Sequence, residues 1–289
     1  MSIQRPSFPA RLPSGMPQTG AKPSLAAYTS ISFAPKMRAS YADSTPASPS
    51  KSLKNAQKNP FSIAAQGFGM DSAAMRMRMV KLLAEGGIQD QAVLHAMNAI
   101  ERHRFVDTAL AGQAYEDTSL PIGLGQTISK PNVVARMIAL LREGAALDSQ
   151  GKMGRVLEIG SGCGYQAAIL ALLCKEVYSI ERLRGLYDKA LVNVRHLAAP
   201  NLHLLLGDGM LGAPSGAPYA GIIAAAGGEA IPQSWVDQLA VGGRIIAPTV
   251  TYSGKSAAQS LVVVEKTARG LKQTVLESVL FVPLKSGVA

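Results

Sequence analysis

The chain has 289 residues, a formal net charge of +10 and a composition that is 47% hydrophobic. That length suits one domain of roughly 200 residues with an extension, or two small domains, and the apolar content supports a full-size core. Only two cysteines are present, Cys163 and Cys174, and neither forms a CxxC pair, which excludes a disulfide scaffold or a zinc cluster as the organising device.

Residues 1–70 hold eight Lys/Arg against one acid, Asp43, so most of the net charge belongs there. The segment is rich in Ser, Pro, Ala and Lys and lacks hydrophobic periodicity. Such composition buries too little apolar area to offset the entropy of ordering, so a disordered basic extension is expected. A basic tail is able to touch nucleic acid or a membrane surface, but no aromatic–basic interleaving accompanies it. The opening MSIQRPSFPARLPSG lacks the apolar core of a secretory signal, and Pro6, Pro9, Pro13, Pro17 and Pro23 interrupt any transit-type amphipathic helix. No apolar run approaches the ~20 residues of a bilayer span. The expectation is a cytoplasmic monomer with no stable nucleic-acid partner, no membrane partner and no metal.

The pattern changes near Asp71. Met75, Met79, Leu82 and Leu83 recur at helical spacing, and Gly86-Gly87 end the run. Asp90 is placed to cap a second helix carrying Val93, Leu94, Met97 and Ile100. Phe105 to Ser129 shows no clear periodicity, and Leu120 to Ser129 within it reads as a loop rich in breakers. Pro131 fits the first turn of a helix bearing Val133, Val134, Met137, Leu140 and Leu141, with Ser129 near the N-cap.

From Gly154 strand and helix alternate. Strands are predicted at 155–159, 176–180, 202–206, 219–225 and 243–247, and helices at 166–174, 184–197 and 233–239. Residues 261–265 and 275–282 read as a closing pair of strands. The alternation predicts an α/β fold with a mostly parallel, doubly wound sheet, N-terminal helices and C-terminal strands.

The segment Val156-Leu157-Glu158-Ile159-Gly160-Ser161-Gly162-Cys163-Gly164-Tyr165 follows a strand and opens a helix. A glycine turn there lets the backbone approach a ligand. The spacing is GxGxG, and Tyr165 occupies the place of the third glycine of a dinucleotide motif. Glu158 just before the turn would repel a pyrophosphate but suits a ligand bearing an ammonium group. Glu181 ends the next strand, where an acid accepts from two ribose hydroxyls. Asp208-Gly209 follows the third strand, placed for an adenine amino group. Three acids at three strand ends point to S-adenosylmethionine, which carries an ammonium and a sulfonium but no phosphate.

The run Leu120 to Ser129, LPIGLGQTIS, followed by Lys130-Pro131, resembles the loop of protein-L-isoaspartate (D-aspartate) O-methyltransferases. The resemblance extends through Arg104-Phe105-Val106, VLEIGSGCGYQ, LLLGDG and Phe281-Val282-Pro283-Leu284, and covers residues 71–289 as a methyltransferase domain. It implies a Rossmann-like S-adenosylmethionine-dependent methyltransferase fold. It also implies methyl transfer to the α-carboxylate of L-isoaspartyl residues in damaged proteins, with repair following through a succinimide. The family's catalytic-site serine maps onto Ser129, with Gln126, Thr127 and Ile128 positioning substrate. The cofactor residues implied are Glu158, Gly160, Ser161, Gly162, Gly164, Tyr165, Glu181, Arg182, Asp208 and Gly209. A carboxylate with a pKa near ~4 is already ionised at neutral pH, so no general base is needed and positioning should dominate.

The chain departs from the family at Ala220-Gly221, where Asp-Ala is usual, at Cys163, where serine is common, and at Ala247-Pro248-Thr249-Val250 in place of Leu-Pro-Val-Gly. The alternative reading is therefore a methyltransferase-like binding protein with reduced or lost turnover.

Overall fold

The computed structural model describes residues 72–253 and 256–289. The expected disorder of residues 1–70 lies outside the described residues.

Two helices open the described chain, α1 (Ser72–Glu85) and α2 (Gln91–Ala99). Gly87 closes α1 at φ +102°, a conformation that favours glycine. Asp90 caps α2 as expected, its Oδ1 accepting from the amides of Ala92 at 2.9 Å and Val93 at 3.1 Å. α2 buries Val93, Leu94, Ala96 and Met97 on one side.

The structure corrects the reading of 120–129 as a loop. Leu120–Gly123 (β1) and Gln126–Ile128 (β2) form a short antiparallel hairpin. Its two-residue turn places Leu124 at φ +52° and Gly125 at φ +70°, the pattern of a primed hairpin turn. Leucine rarely takes positive φ, and strands of three and four residues are too short to display alternation. Sequence pattern therefore carries little signal for this hairpin.

α3 (Pro131–Arg142) begins with Pro131 in its first turn, as expected. Ser129 is not its cap. The N-cap position is Lys130, whose side chain makes no capping bond, and the amide of Asn132 donates instead to Asp117 Oδ1 at 2.9 Å. The Ser129 hydroxyl is thereby left without a capping duty.

The main sheet follows: β3 (Met153–Ile159), α4 (Tyr165–Leu173), β4 (Cys174–Glu181), α5 (Arg184–Val194), β5 (Leu202–Leu206), β6 (Tyr219–Ala224), α6 (Gln233–Gln238), β7 (Leu239–Ser253), β8 (Ser256–Thr267) and β9 (Gly270–Ser278). The spatial order is β5-β4-β3-β6-β7-β8-β9. The first five strands run parallel, and β8 and β9 are antiparallel. This is the mostly parallel Rossmann-like sheet expected from the alternation. β7 and β8 run well beyond their predicted spans, because their hairpin pairs on from Arg244–Glu265 to Ser253–Ser256. β9 stops at Ser278, so residues 279–282 leave the sheet.

Both faces of the sheet are covered. Phe105, Met97, Met137 and Ile138 fill one side, and Trp235, Tyr219, Ile222 and Ile245 fill the other. Each such fully buried side chain contributes about 1.5–3 kcal/mol. Gly221 is explained here: a Cβ on it would come within 2.8 Å of Leu141 Cδ1, so its absence lets α3 lie on the sheet. Strand order reverses between β4 and β6, on either side of β3. Ligands of open α/β sheets bind at such a reversal, outside the carboxyl ends of the strands.

Candidate active site

A cavity of about 480 Å³ lies at that reversal. The turn after β3 forms its floor. Gly160, Gly162 and Gly164 sit at φ +89°, +54° and +88°, which explains why glycine stands at all three positions. Gly160, Ser161, Gly162 and Tyr165 line the cavity. Gly164 does not; a Cβ there would stand 2.9 Å from Val194 Cγ1, so its task is to seat the turn on α5. The Tyr165 hydroxyl points away into the core, 3.8 Å from Met97 Sδ, and burial pushes it up to about 12.

The three acids differ in role. Glu181 lines the cavity and is 5% exposed. Its Oε2 accepts from the Gly162 amide at 2.9 Å, and its Oε1 accepts from the amides of Arg182 and Leu183, both at 2.9 Å. A carboxylate offers about four lone-pair sites, so acceptor capacity remains for a ligand hydroxyl. Arg182 lines the same wall.

Glu158 is fully buried and does not reach the wall. It accepts from Ser179 Oγ, which bonds Ser161 Oγ at 2.6 Å, and Ser161 faces the cavity. Burial pushes the Glu158 carboxyl up to about 8, and the neighbouring Glu181 charge adds to this. At neutral pH it holds its proton and acts on the cavity through two hydroxyls, not through a negative charge.

Asp208 is also off the wall, although Gly209 lines it. Asp208 Oδ1 accepts from the Met210 amide at 2.8 Å, and Oδ2 accepts from the Gly287 amide at 2.7 Å. Sequence reading placed this acid on a ligand; in the structure each of its oxygens accepts one backbone amide and its side chain is off the cavity wall. Cys163 is buried and its thiol is pushed up to about 11 by desolvation, so it stays protonated.

The β1–β2 hairpin forms the opposite wall with Gln126, Thr127, Ile128 and Ser129. A second groove of about 420 Å³ adjoins the cavity. Thr127, Ser129, Ala225 and Val282 line both, so the two hydroxyls stand where the spaces meet. The groove's far wall is the 278–282 segment, with Leu280 94% exposed. One space can hold a cofactor and the other an extended chain, with Thr127 and Ser129 between them.

The sequence profile of the protein-L-isoaspartate(D-aspartate) O-methyltransferase family matches residues 74–289. The chain belongs to this family. A protein-L-isoaspartate O-methyltransferase of Methylibium petroleiphilum is 59% identical over 222 residues, covering 76% of this chain and 81% of that one. A protein of the same description from Leptothrix cholodnii is 54% identical over 224 residues, covering 77% of each. Among solved structures, a protein-L-isoaspartate O-methyltransferase superposes with a TM-score of 0.64 at 27% identity, covering 74% of this chain and 67% of that one. A Plasmodium falciparum structure in complex with S-adenosyl-L-homocysteine shares the fold, with a TM-score of 0.60 at 24% identity over 73% of this chain and 98% of that one.

Family membership carries the activity, O-methylation of isoaspartyl protein. The departure at Ala220 falls at the start of β6, far from the cavity, whose lining on that side is Ala225 and Ala226. Five residue steps at about 3.3 Å each separate Ala220 from Ala225. Loss of a carboxylate there leaves the cavity walls intact.

Sequence reasoning missed two groups. Arg102 is 0% exposed; its Nε donates to the Ala114 carbonyl at 2.8 Å and its Nη2 to the Ser129 carbonyl at 2.8 Å. Its guanidinium carbon lies 4.9 Å from the Tyr165 ring centroid. An arginine in a basic RHR run carries no sequence signal of burial. Val282 to Lys285 also line the cavity. The resemblance to the family marked Phe281 to Leu284, but no periodicity tied that segment to a site.

Proposed function

We propose that the cavity is the S-adenosylmethionine site and that the adjoining groove takes the isoaspartyl chain. The observation that carries this reading is the place of Thr127 and Ser129, on the shared wall of the two spaces. The residues present fit the cofactor. Glu181 keeps acceptor capacity for a ribose hydroxyl, and the left-handed glycines let backbone approach. When bound there, S-adenosylmethionine supplies an electrophilic methyl on a sulfonium.

The remaining work is positioning. A substrate α-carboxylate is ionised at neutral pH and needs no base. Hydroxyl donors from Ser129 and Thr127 orient one carboxylate oxygen while the other attacks. Arg102 fixes the Ser129 backbone from behind. The buried, neutral Glu158 sets the Ser161 hydroxyl through Ser179. The neighbouring backbone amide nitrogen of the substrate attacks the methyl ester so formed and expels methanol, giving a succinimide, and water opens that ring to normal aspartate or back to isoaspartate.

The methyltransferase domain spans residues 71–289, and residues 1–70 are a basic extension with no part in turnover. The family match beginning at residue 74 supports that boundary. The protein works as a cytoplasmic monomer without a stable nucleic-acid or membrane partner. In support, no helix among the described residues is long and apolar enough to cross a membrane.

The test offers labelled S-adenosylmethionine with an isoaspartyl peptide and with its normal-aspartate twin. Base-labile label on the first alone is expected. Cofactor binding without transfer would instead favour a binding protein that has lost turnover, and no binding would sink both. Deleting residues 1–70 should leave folding and turnover unchanged; a large loss of either would move the boundary.

A further inference from the structure

In an isoaspartyl linkage the chain runs on through the side-chain carbonyl, and the α-carboxylate is the pendant group. The damaged residue therefore brings no side chain of its own to the groove beside the cavity. Selection among damaged sites has to act on the flanking side chains, against the groove lining. That lining is mostly apolar. Val133, Val279, Leu280 and Val282 stand on it, and Lys130 carries the only formal charge among the described residues there.

The far wall is gripped by one residue of β8. The Val279 amide donates to the Gln259 carbonyl at 2.9 Å, and the Phe281 amide donates to Gln259 Oε1 at 2.5 Å. Gln259 thus holds the chain on both sides of Leu280. Its side chain lies flush on Gly227, where a Cβ would overlap Gln259 Nε2. The Gly227 amide in turn donates to the Val282 carbonyl at 2.8 Å, which fixes the chain beyond Phe281. Val279 and Phe281 are partly buried against the core, whereas Leu280 between them is 94% exposed. A lone exposed leucine is ordinary. This one is held in place through both neighbours, on the wall that faces Thr127 and Ser129 across the groove.

We propose that Leu280 is a specificity-determining contact, selecting damaged sites with an apolar side chain next to the isoaspartyl residue, and that Gln259 is the positioning residue that presents it. With the α-carboxylate held at Thr127 and Ser129, a flanking side chain directed at the far wall meets Leu280. An apolar one takes its own surface and that of Leu280 out of water; a short or charged one does not. Because the chain on both sides of Leu280 is already fixed, little ordering of that wall opposes the contact. Lys130 is the competing determinant and would favour an acidic flank. It is solvent-exposed, where screening leaves an ion pair little net effect. The inference rests on the reading of the groove as the substrate site.

Isoaspartyl peptides that differ only in one flanking residue (leucine, alanine or glutamate, each side varied in turn) test it by kcat/KM on the full chain. The parent chain should prefer leucine to alanine roughly tenfold on one side, the low end of what an apolar pocket discriminates. Leu280→Ala should bring that ratio close to one with an unchanged melting temperature, since the side chain is 94% exposed. Gln259→Ala should lower the ratio through a higher KM for the leucine peptide. Gln259→Glu keeps an acceptor for the Phe281 amide and should restore it. If Gln259→Ala slows all peptides alike and leaves the ratio unchanged, Gln259 is merely structural and its assignment falls. No leucine preference in the parent chain, or one that survives Leu280→Ala, overturns the proposal. So does a glutamate preference that disappears in Lys130→Ala. Ser278→Trp, which fills the groove, separates the two readings. If it raises the peptide KM while Leu280→Ala leaves the ratio alone, Leu280 fails and the groove reading stands. If it leaves the peptide KM intact, the groove reading fails and the proposal with it.

Discussion

Arg102 Nη2 donates to the carbonyl oxygen of Ser129 at 2.8 Å, so a fully buried guanidinium holds the backbone of the residue proposed to orient the substrate. The same guanidinium sits over Tyr165, the first residue of α4 beside the glycine turn. One side chain therefore spaces the hairpin wall from the cofactor floor. Desolvation pushes the Arg102 pKa below its ordinary value, and the neighbouring Tyr165 and Cys163 oppose that shift. Arg102→Leu strands the carbonyls of Ala114 and Ser129 without donors. Hydrogen bonds to charged groups are worth about 1.5–3 kcal/mol each, so a loss on the order of 3 kcal/mol is expected in urea unfolding. A fall in kcat should persist under conditions where the variant is fully folded. Full kcat there would remove Arg102 from the positioning role.

Ser129→Ala tests the hydroxyl separately. Its side chain caps no helix, so the melting temperature should hold. Turnover on an isoaspartyl peptide should drop roughly 10- to 100-fold, the size of a lost hydrogen bond to a charged group. A variant that melts early and turns over normally would reverse the assignment.

The buried acid Glu158 predicts a pH dependence of stability. Its carboxyl lies near 8 in the folded protein and near ~4.3 when unfolded. Between those values the folded state keeps a proton that the unfolded chain has released. The stabilisation is complete below the lower value and is lost as pH rises through the upper one. Glu158→Gln removes this titration. Its melting temperature relative to the parent chain should rise steadily from about pH 5 to about pH 9. A constant difference across that range would show that Glu158 is ionised in the fold.

Gly164→Ala separates stability from cofactor contact. The residue is at φ +88°, and a Cβ would meet Val194 Cγ1 at 2.9 Å. The substitution should cost on the order of 2 kcal/mol in unfolding. Cofactor affinity measured well below the melting temperature should change little, since Gly164 is off the cavity wall. Loss of affinity without loss of stability would place the residue on the ligand instead.

The sequence by itself determined the sheet, because buried parallel strands read as short apolar runs and crossover helices must separate them. It also determined the glycine turn, whose left-handed conformations only glycine adopts readily, and the Asp90 cap, which is a local interaction. Motif resemblance placed Gln126–Ser129, and the structure brings them to the cavity that Glu181 and Arg182 also line. Tertiary structure alone decided what long-range contacts set. It made a hairpin of a stretch too short for periodicity, and it gave the cap of α3 to Asp117, fifteen residues from the amide it accepts. It also sorted three similar strand-end acids into three roles. Glu181 faces the cavity, Glu158 is buried and protonated behind two serines, and Asp208 is turned outward to a segment 79 residues further on. An acid at a strand end states only where its backbone lies. Burial and partners, which depend on every neighbouring element, decide whether it carries charge and what it holds.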